Sequence, residues 1–272
     1  MQHITSRHNP IVARFRRAAR RSTPPDSATL LEGPRLIEEA LAAGVGIELA
    51  AVSDPLATDD RWAPLLERLG VATEVVRVST PVMAALSPVS TPSGLVAIVT
   101  PTPARFESTV GGSQPLVLGL IGVQDPGNTG AVIRAAEAGG ATGVVTVAGA
   151  DPYGWKALRG SMGSTLRFPV VRAHDPDQIN ADARARGLRL LAAIPHGGTP
   201  TSRTDLSSPC LIWLGAEGAG LSAPVRDCAD ELISVPMRAP VESLNIAVAS
   251  ALIIYEAARQ RADGRAVPEP PV

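Results

Sequence analysis

The sequence predicts an α/β protein in two parts, and three observations carry that prediction. From Leu116 onward short apolar runs recur, separated by helical segments. Strands of that kind, buried on both faces and joined by crossover helices, make a parallel sheet. Over the first hundred residues helical and extended patterns alternate, which describes a small α/β layer domain. Between the two, Pro101-Thr102-Pro103 and a stretch holding Ser108, Gly111 and Gly112 lack an apolar period and read as a linker. The expected division is a first domain over 1–102, a linker over 103–115, a second domain over 116–262 and a disordered tail over 263–272, which holds three prolines.

Each element has a local reason. A helix over 9–21 is entered through Asn9-Pro10, with proline at the first position, where its missing N–H is harmless. A strand at 28–32 is followed by a helix at 34–43 that stops at Gly44, a strand at 47–52 and a helix at 61–69 that stops at Gly70. Strands at 74–78 and 94–99 complete the first domain. In the second, strands are expected at 116–123, 143–148, 166–171, 188–194, 210–215 and 232–235. The last helix, 243–261, has Leu244, Val248, Ala251, Leu252 and Tyr255 on one stripe, while Ile246, Ile253 and Ile254 fall outside it. A helix apolar nearly all round is buried, here against the core or a second subunit.

A chain of 272 residues with 45% hydrophobic and 19% charged content is globular and can bury two cores. No apolar run reaches the roughly 20 residues that cross a bilayer, and the Arg-bearing start lacks a secretory pattern, so a cytoplasmic location is expected. Cys210 and Cys228 have no metal-ligand spacing and read as buried free thiols, and no metal is expected. Net charge is −1, yet Arg7, Arg14, Arg16, Arg17, Arg20 and Arg21 all precede the first acidic residue, Asp26. That local field suits phosphates, and a solvated terminus accounts for it equally well.

Three segments carry candidate chemistry. The turn Asp125-Pro126-Gly127-Asn128 ends a strand and begins a helix, where free N–H groups and the dipole favour an anion or acceptor oxygen, and Arg134 lies farther along. The bland alternative is that Asn128 caps the helix and Arg134 pairs with Glu137. Gly215-Ala216-Glu217-Gly218-Ala219-Gly220 closes another strand, letting backbone approach a ligand and leaving Glu217 at the strand's carboxyl end. Its glycine spacing is not that of a dinucleotide fold. Glu242-Ser243-Leu244-Asn245, shortly after Val235-Pro236-Met237, opens the final helix, with Ser243 as its cap and the Asn245 amide available to a carbonyl or hydroxyl. Gly160-Ser161-Met162-Gly163-Ser164 reads either as a simple turn or as an RNA contact through backbone and hydroxyls.

In this order, the three segments resemble the signature motifs of the SPOUT superfamily, in particular the TrmH/SpoU family of RNA ribose 2'-O-methyltransferases. The opening Ile4-Thr5-Ser6-Arg7-His8-Asn9-Pro10 and the segment Leu31-Glu32-Gly33-Pro34-Arg35-Leu36 resemble the ribosomal-protein-like substrate-binding domain of members acting on ribosomal RNA. Ala216 departs from the pattern, since the family often has Asn there. The resemblance implies a C-terminal α/β domain tied in a trefoil knot, an S-adenosylmethionine cofactor and a homodimer. Carried over by motif position, Asn128, Arg134, Glu217, Ser243 and Asn245 would form the catalytic set. Ala193, Gly215, Val235 and Leu244 would contact the cofactor, and Arg7, Arg14, Arg17 and Arg35 would contact RNA.

The implied reaction moves a methyl group from a sulfonium to a ribose 2'-hydroxyl, most readily of ribosomal RNA. Alignment supplies up to roughly 7 to 11 kcal/mol in ideal cases. A guanidinium is a poor proton acceptor near neutrality, so orientation and phosphate contact are the firmer role for Arg134, held by Asn128 and Glu217. The competing readings are a transfer RNA methyltransferase, a knotted RNA-binding protein without turnover, and a Rossmann-type nucleotide enzyme.

Overall fold

A computed structural model describes residues 1–20 and 28–263, so Arg21 and the expected tail beyond Asp263 lie outside the described residues. In chain order the first elements are β1 (His3–Ile4), α1 (Pro10–Ala19), β2 (Thr29–Glu32), α2 (Pro34–Ala42), β3 (Ile47–Ser53), α3 (Asp54–Ala57), α4 (Ala63–Ala72), β4 (Val75–Val78), α5 (Thr80–Leu86) and β5 (Leu95–Val99). Then follow β6 (Leu116–Ile121), α6 (Pro126–Ala138), β7 (Gly143–Val147), α7 (Trp155–Ser161), α8 (Ser164–Arg167), β8 (Val170–Ala173), α9 (Pro176–Ala185) and β9 (Arg189–Ala193). The chain closes with β10 (Thr199–Pro200), β11 (Cys210–Gly215), α10 (Ala223–Asp227), β12 (Glu231–Ser234) and α11 (Ile246–Asp263).

Two compact units result, one of Met1–Thr102 with Tyr153–Arg167, the other of Pro103–Pro152 with Phe168–Val272. The first holds a five-stranded sheet in the order β1-β4-β3-β5-β2, in which β5 runs antiparallel to both β2 and β3. Helix α1 buries Val12, Phe15 and Ala18 and leaves Arg14 and Arg17 exposed, so its arginine face is the one turned to solvent. Arg7 and Arg16 donate to the carbonyls of Pro81 and Ala85, and Arg35 is exposed in the first turn of α2.

The second unit holds a seven-stranded sheet, β10-β12-β9-β11-β6-β7-β8, parallel throughout. At its centre Trp213 of β11 faces Gly119 of β6, and a Cβ on Gly119 would stand 2.0 Å from the indole. Glycine is therefore required there, and the buried indole N–H is satisfied by Oδ1 of Asn180 at 2.7 Å. Helix α11 crosses α6 closely, since a Cβ on Gly139 would meet Cγ2 of Ile254 at 2.2 Å.

Four expectations are corrected. Residues 103–115 are not a loose linker: Ala104 bridges to Val171, Phe106 joins the core, and Thr109 is fully buried. The strand expected at 166–171 is split, because 164–167 is helical and Pro169 precedes a strand that starts only at Val170. The helix expected at 61–69 does not stop at Gly70 but runs on to Ala72. The segment 153–167 packs with the first unit, so the second domain is not one continuous span.

Candidate active site

The site lies where parallel strands of the large sheet end together. Gly215 of β11 pairs with Ile121 of β6, Leu214 with Ala193 of β9, and Ala193 with Ile233 of β12. The loops that leave these strands therefore emerge side by side at the carboxyl edge, the usual place for ligands in such sheets. Beyond β6 the chain turns into α6, whose cap is Asp125: its Oδ1 accepts from the N–H of Asn128 at 2.8 Å. Asn128 is thus not the cap, and its side chain is released for other contacts.

Those contacts are made with the other two motifs. Nδ2 of Asn128 donates to Oε1 of Glu217 at 2.9 Å, and Nδ2 of Asn245 donates to the same oxygen at 3.0 Å and to Oδ1 of Asn128 at 3.1 Å. Residues 117 positions apart in the chain are thereby joined through two amides around one carboxylate oxygen. Oδ1 of Asn245 also accepts from the N–H of Ala247 at 2.9 Å and of Val248 at 3.4 Å, so Asn245 caps α11. Ser243, expected as that cap, sits two residues before it and lines the neighbouring cleft.

The glycine loop is drawn tightly onto the strand end. The N–H of Gly220 donates to the carbonyl of Ala216 at 2.9 Å, and a Cβ on Gly215 would lie 2.2 Å from the carbonyl carbon of Gly220. No backbone shift of a few tenths of an ångström relieves that approach, so position 215 is closed to any side chain. Beside the loop opens a cleft of about 710 Å³. Its wall contains Ala193, Gly215, Glu217, Val235, Ser243 and Leu244, with Ile246 and Ile253 forming an apolar floor. This size, with an apolar floor and a set of polar and charged groups on the wall, is the profile of a small-molecule site.

The structure does not bring every expected residue together. Arg134, six residues beyond Asn128 on α6, is exposed and makes no hydrogen bond to Asn128 or Glu217 among the described residues. Six residues are 600° of helical rotation, roughly 120° away from Asn128 around the axis, so within this chain the pair does not hold Arg134. Ser161 and Ser164 are buried, and the Ser161 hydroxyl is spent on the carbonyl of Leu158, which leaves the RNA-contact reading of that segment with only its backbone and Met162. Two cleft residues, His196 and Arg226, carry no sequence signal: they follow β9 and lie on α10 without any motif spacing.

Residues 115–255 match the SpoU rRNA methylase family, and residues 15–97 match the MRM3-like substrate binding domain. Over 261 residues the chain is 33% identical to an uncharacterized tRNA/rRNA methyltransferase of Synechocystis, covering 95% of this chain and 94% of that one. It is 32% identical over 227 residues to the Bacillus subtilis 23S rRNA (guanosine-2'-O)-methyltransferase RlmP, covering 83% and 86%. The SpoU methyltransferase AviRb of Streptomyces viridochromogenes, solved with S-adenosylmethionine, superposes with a TM-score of 0.83 at 29% identity, covering 94% of this chain and all of that one.

Proposed function

We infer, from membership of the SpoU rRNA methylase family to which this chain belongs, that it is an S-adenosylmethionine-dependent RNA ribose 2'-O-methyltransferase acting on ribosomal RNA. The observation that carries this reading is the convergence of Asn128, Glu217 and Asn245 at the rim of a glycine-lined cleft. A substrate of that kind implies a cytoplasmic enzyme.

The residues present fit the cofactor. Val235, Leu244 and the floor beneath them suit an adenine ring, the glycine loop offers backbone groups at van der Waals approach, and Ala193 and Ser243 line the same wall. When bound, S-adenosylmethionine supplies an electrophilic methyl group. The protein's part is alignment: the two amides fix the Glu217 carboxylate, and the carboxylate in turn can hold a ribose hydroxyl at the cleft mouth. The planar guanidinium of Arg134 serves as a clamp on the neighbouring phosphate. Arg7, Arg14, Arg17 and Arg35 supply phosphate contacts on the first unit, which makes RNA affinity fall steeply with salt.

The reading includes a homodimer and a trefoil knot. Support for the dimer is the stripe Val248, Leu252 and Tyr255 on α11, 47 to 56% exposed, an apolar face of the kind a partner covers. Arg134 lies on the exposed side of α6, which packs against α11, and a second copy seated there would receive it at its own cleft. Support for the knot is a strand order in which β11 inserts between β9 and β6 while β12 returns to the far side of β9.

The test is a titration with S-adenosylmethionine followed by tritiated-methyl transfer to 23S rRNA and to tRNA transcripts. Uptake on rRNA, abolished in Arg134→Ala while cofactor binding persists, is the expected result. Binding without transfer to any RNA would leave a non-catalytic protein, and transfer to tRNA alone would redirect the substrate.

A further inference from the structure

The methyl donor is an amino acid as well as a nucleoside, and its α-carboxylate needs a positive or N–H-rich partner inside the cleft. The charged side chains on the cleft wall are Glu217, Glu242 and Arg226, with His196 beside them. Glu217 is already engaged by Asn128 and Asn245. Arg226 is the one guanidinium among the lining residues, and among the described residues its side chain makes no hydrogen bond or ion pair. Its backbone explains why it is presented there. The N–H of Arg226 closes the first turn of α10 onto the carbonyl of Ser222, while Leu221 and Val225 turn into the core, and position 226, about 100° farther round the helix, is left exposed at the edge of the cleft.

We propose that Arg226 is the specificity residue for the amino-acid end of the cofactor, gripping its carboxylate with a forked guanidinium. The inference rests on the methyltransferase reading. A planar fork suits a carboxylate in two parallel N–H bonds, which lysine cannot reproduce. Two carboxylates on the same wall repel an anion, so a lone cation is what allows a carboxylate to enter. The same cation could face an RNA phosphate instead, and the two ligands are separable because one is present without RNA.

The experiment compares S-adenosylmethionine with its decarboxylated analogue, which keeps the adenosine, sulfonium and amine, by calorimetric titration of the full chain in the absence of RNA. Wild-type protein is expected to prefer the carboxylated form by about tenfold, the scale of one charge-assisted contact in an open cleft. Arg226→Gln should lose that preference while binding the decarboxylated analogue unchanged, and Arg226→Lys should recover only part of it. Equal preference in wild type and Arg226→Gln overturns the assignment, as does an Arg226→Gln protein that keeps the preference here and loses affinity only in a separate titration with a 23S rRNA transcript. Failure of wild-type protein to bind either compound overturns the methyltransferase reading itself. Unchanged affinity for the analogue serves as the folding control.

Discussion

Asn245 does two jobs with one amide, and substitutions can part them. Its oxygen caps α11, a contact worth about 1 kcal/mol when a side chain of this type is replaced by alanine. Its nitrogen bridges to Glu217 and Asn128 at 3.0 and 3.1 Å in an exposed setting, where two such bonds together contribute about 1 kcal/mol. Asn245→Ala should therefore cost about 2 kcal/mol, or roughly 4 to 8 °C in melting temperature for a unit of this size. Asn245→Ser keeps a capping oxygen and should cost about half as much. Both lose the amide donor, so both should lose methyl transfer by roughly the hundredfold that a small misplacement of a reacting group costs. Melting curves and single-turnover methylation of the two variants decide the matter. If Asn245→Ser regains turnover in step with its stability, the residue acts only through the helix, and the bridge to Glu217 has no part in the reaction.

Three further outcomes follow from the structure. Gly215→Ala puts a Cβ 2.2 Å from the carbonyl carbon of Gly220 and should abolish measurable cofactor binding by calorimetry while circular dichroism stays unchanged; retained affinity would contradict the tight loop. Burial pushes the Cys210 thiol up to about 11, whereas Cys228 is exposed, so iodoacetamide at pH 8 should modify only Cys228 in the native protein, as read by peptide mass spectrometry. Arg259 and then Gln260 hold the Glu256 carboxyl down at about 2, against an ordinary 4.5. The folded form therefore prefers the ionised state, the contribution is complete above about 4.5, and it is lost as pH falls toward 2. Glu256→Gln should flatten that part of the acid melting profile, and an unchanged slope between pH 5 and 3 would rule the pair out.

The sheet was legible because its strands are apolar on both faces: 210–215 is bounded by Pro209 and by the glycine loop, and its limits can be read directly. Strand 166–171 misled because Leu166 and Phe168 extend the apolar run backward past Pro169, although proline breaks the ladder there. Phe106 gave too little signal to mark 103–115 as packed, since one aromatic in a Pro-, Ser- and Gly-bearing stretch has no period. At the site, the motifs marked Asn128, Glu217 and Asn245, which the structure brings together, but not their division of labour. Asn128, Ser243 and Asn245 are all good caps by chemistry, and only the positions where α6 and α11 begin decide that Asp125 and Asn245 do the capping. Strand order is a long-range property, so the meeting of Asn128 with Glu217, 89 residues apart, could not be computed from either loop.

Ala216 tests how far the cleft depends on backbone rather than side chains. The resemblance to the family implies Asn at this residue in many members, so the Ala removes one side-chain contact and leaves the loop. The structure gives a different reason to expect function: the loop is closed by the carbonyl of Ala216 itself, accepting from Gly220 at 2.9 Å in a bridge that any residue at 216 can form. A Cβ on Gly122 would stand 3.6 Å from that of Ala216, an ordinary contact. Ala216→Asn should thus leave cofactor affinity within about threefold, the range of a substitution that breaks no named contact. A tenfold change in either direction, measured by the same titration, would show that position 216 reaches the ligand through its side chain and that backbone geometry alone does not account for the hold.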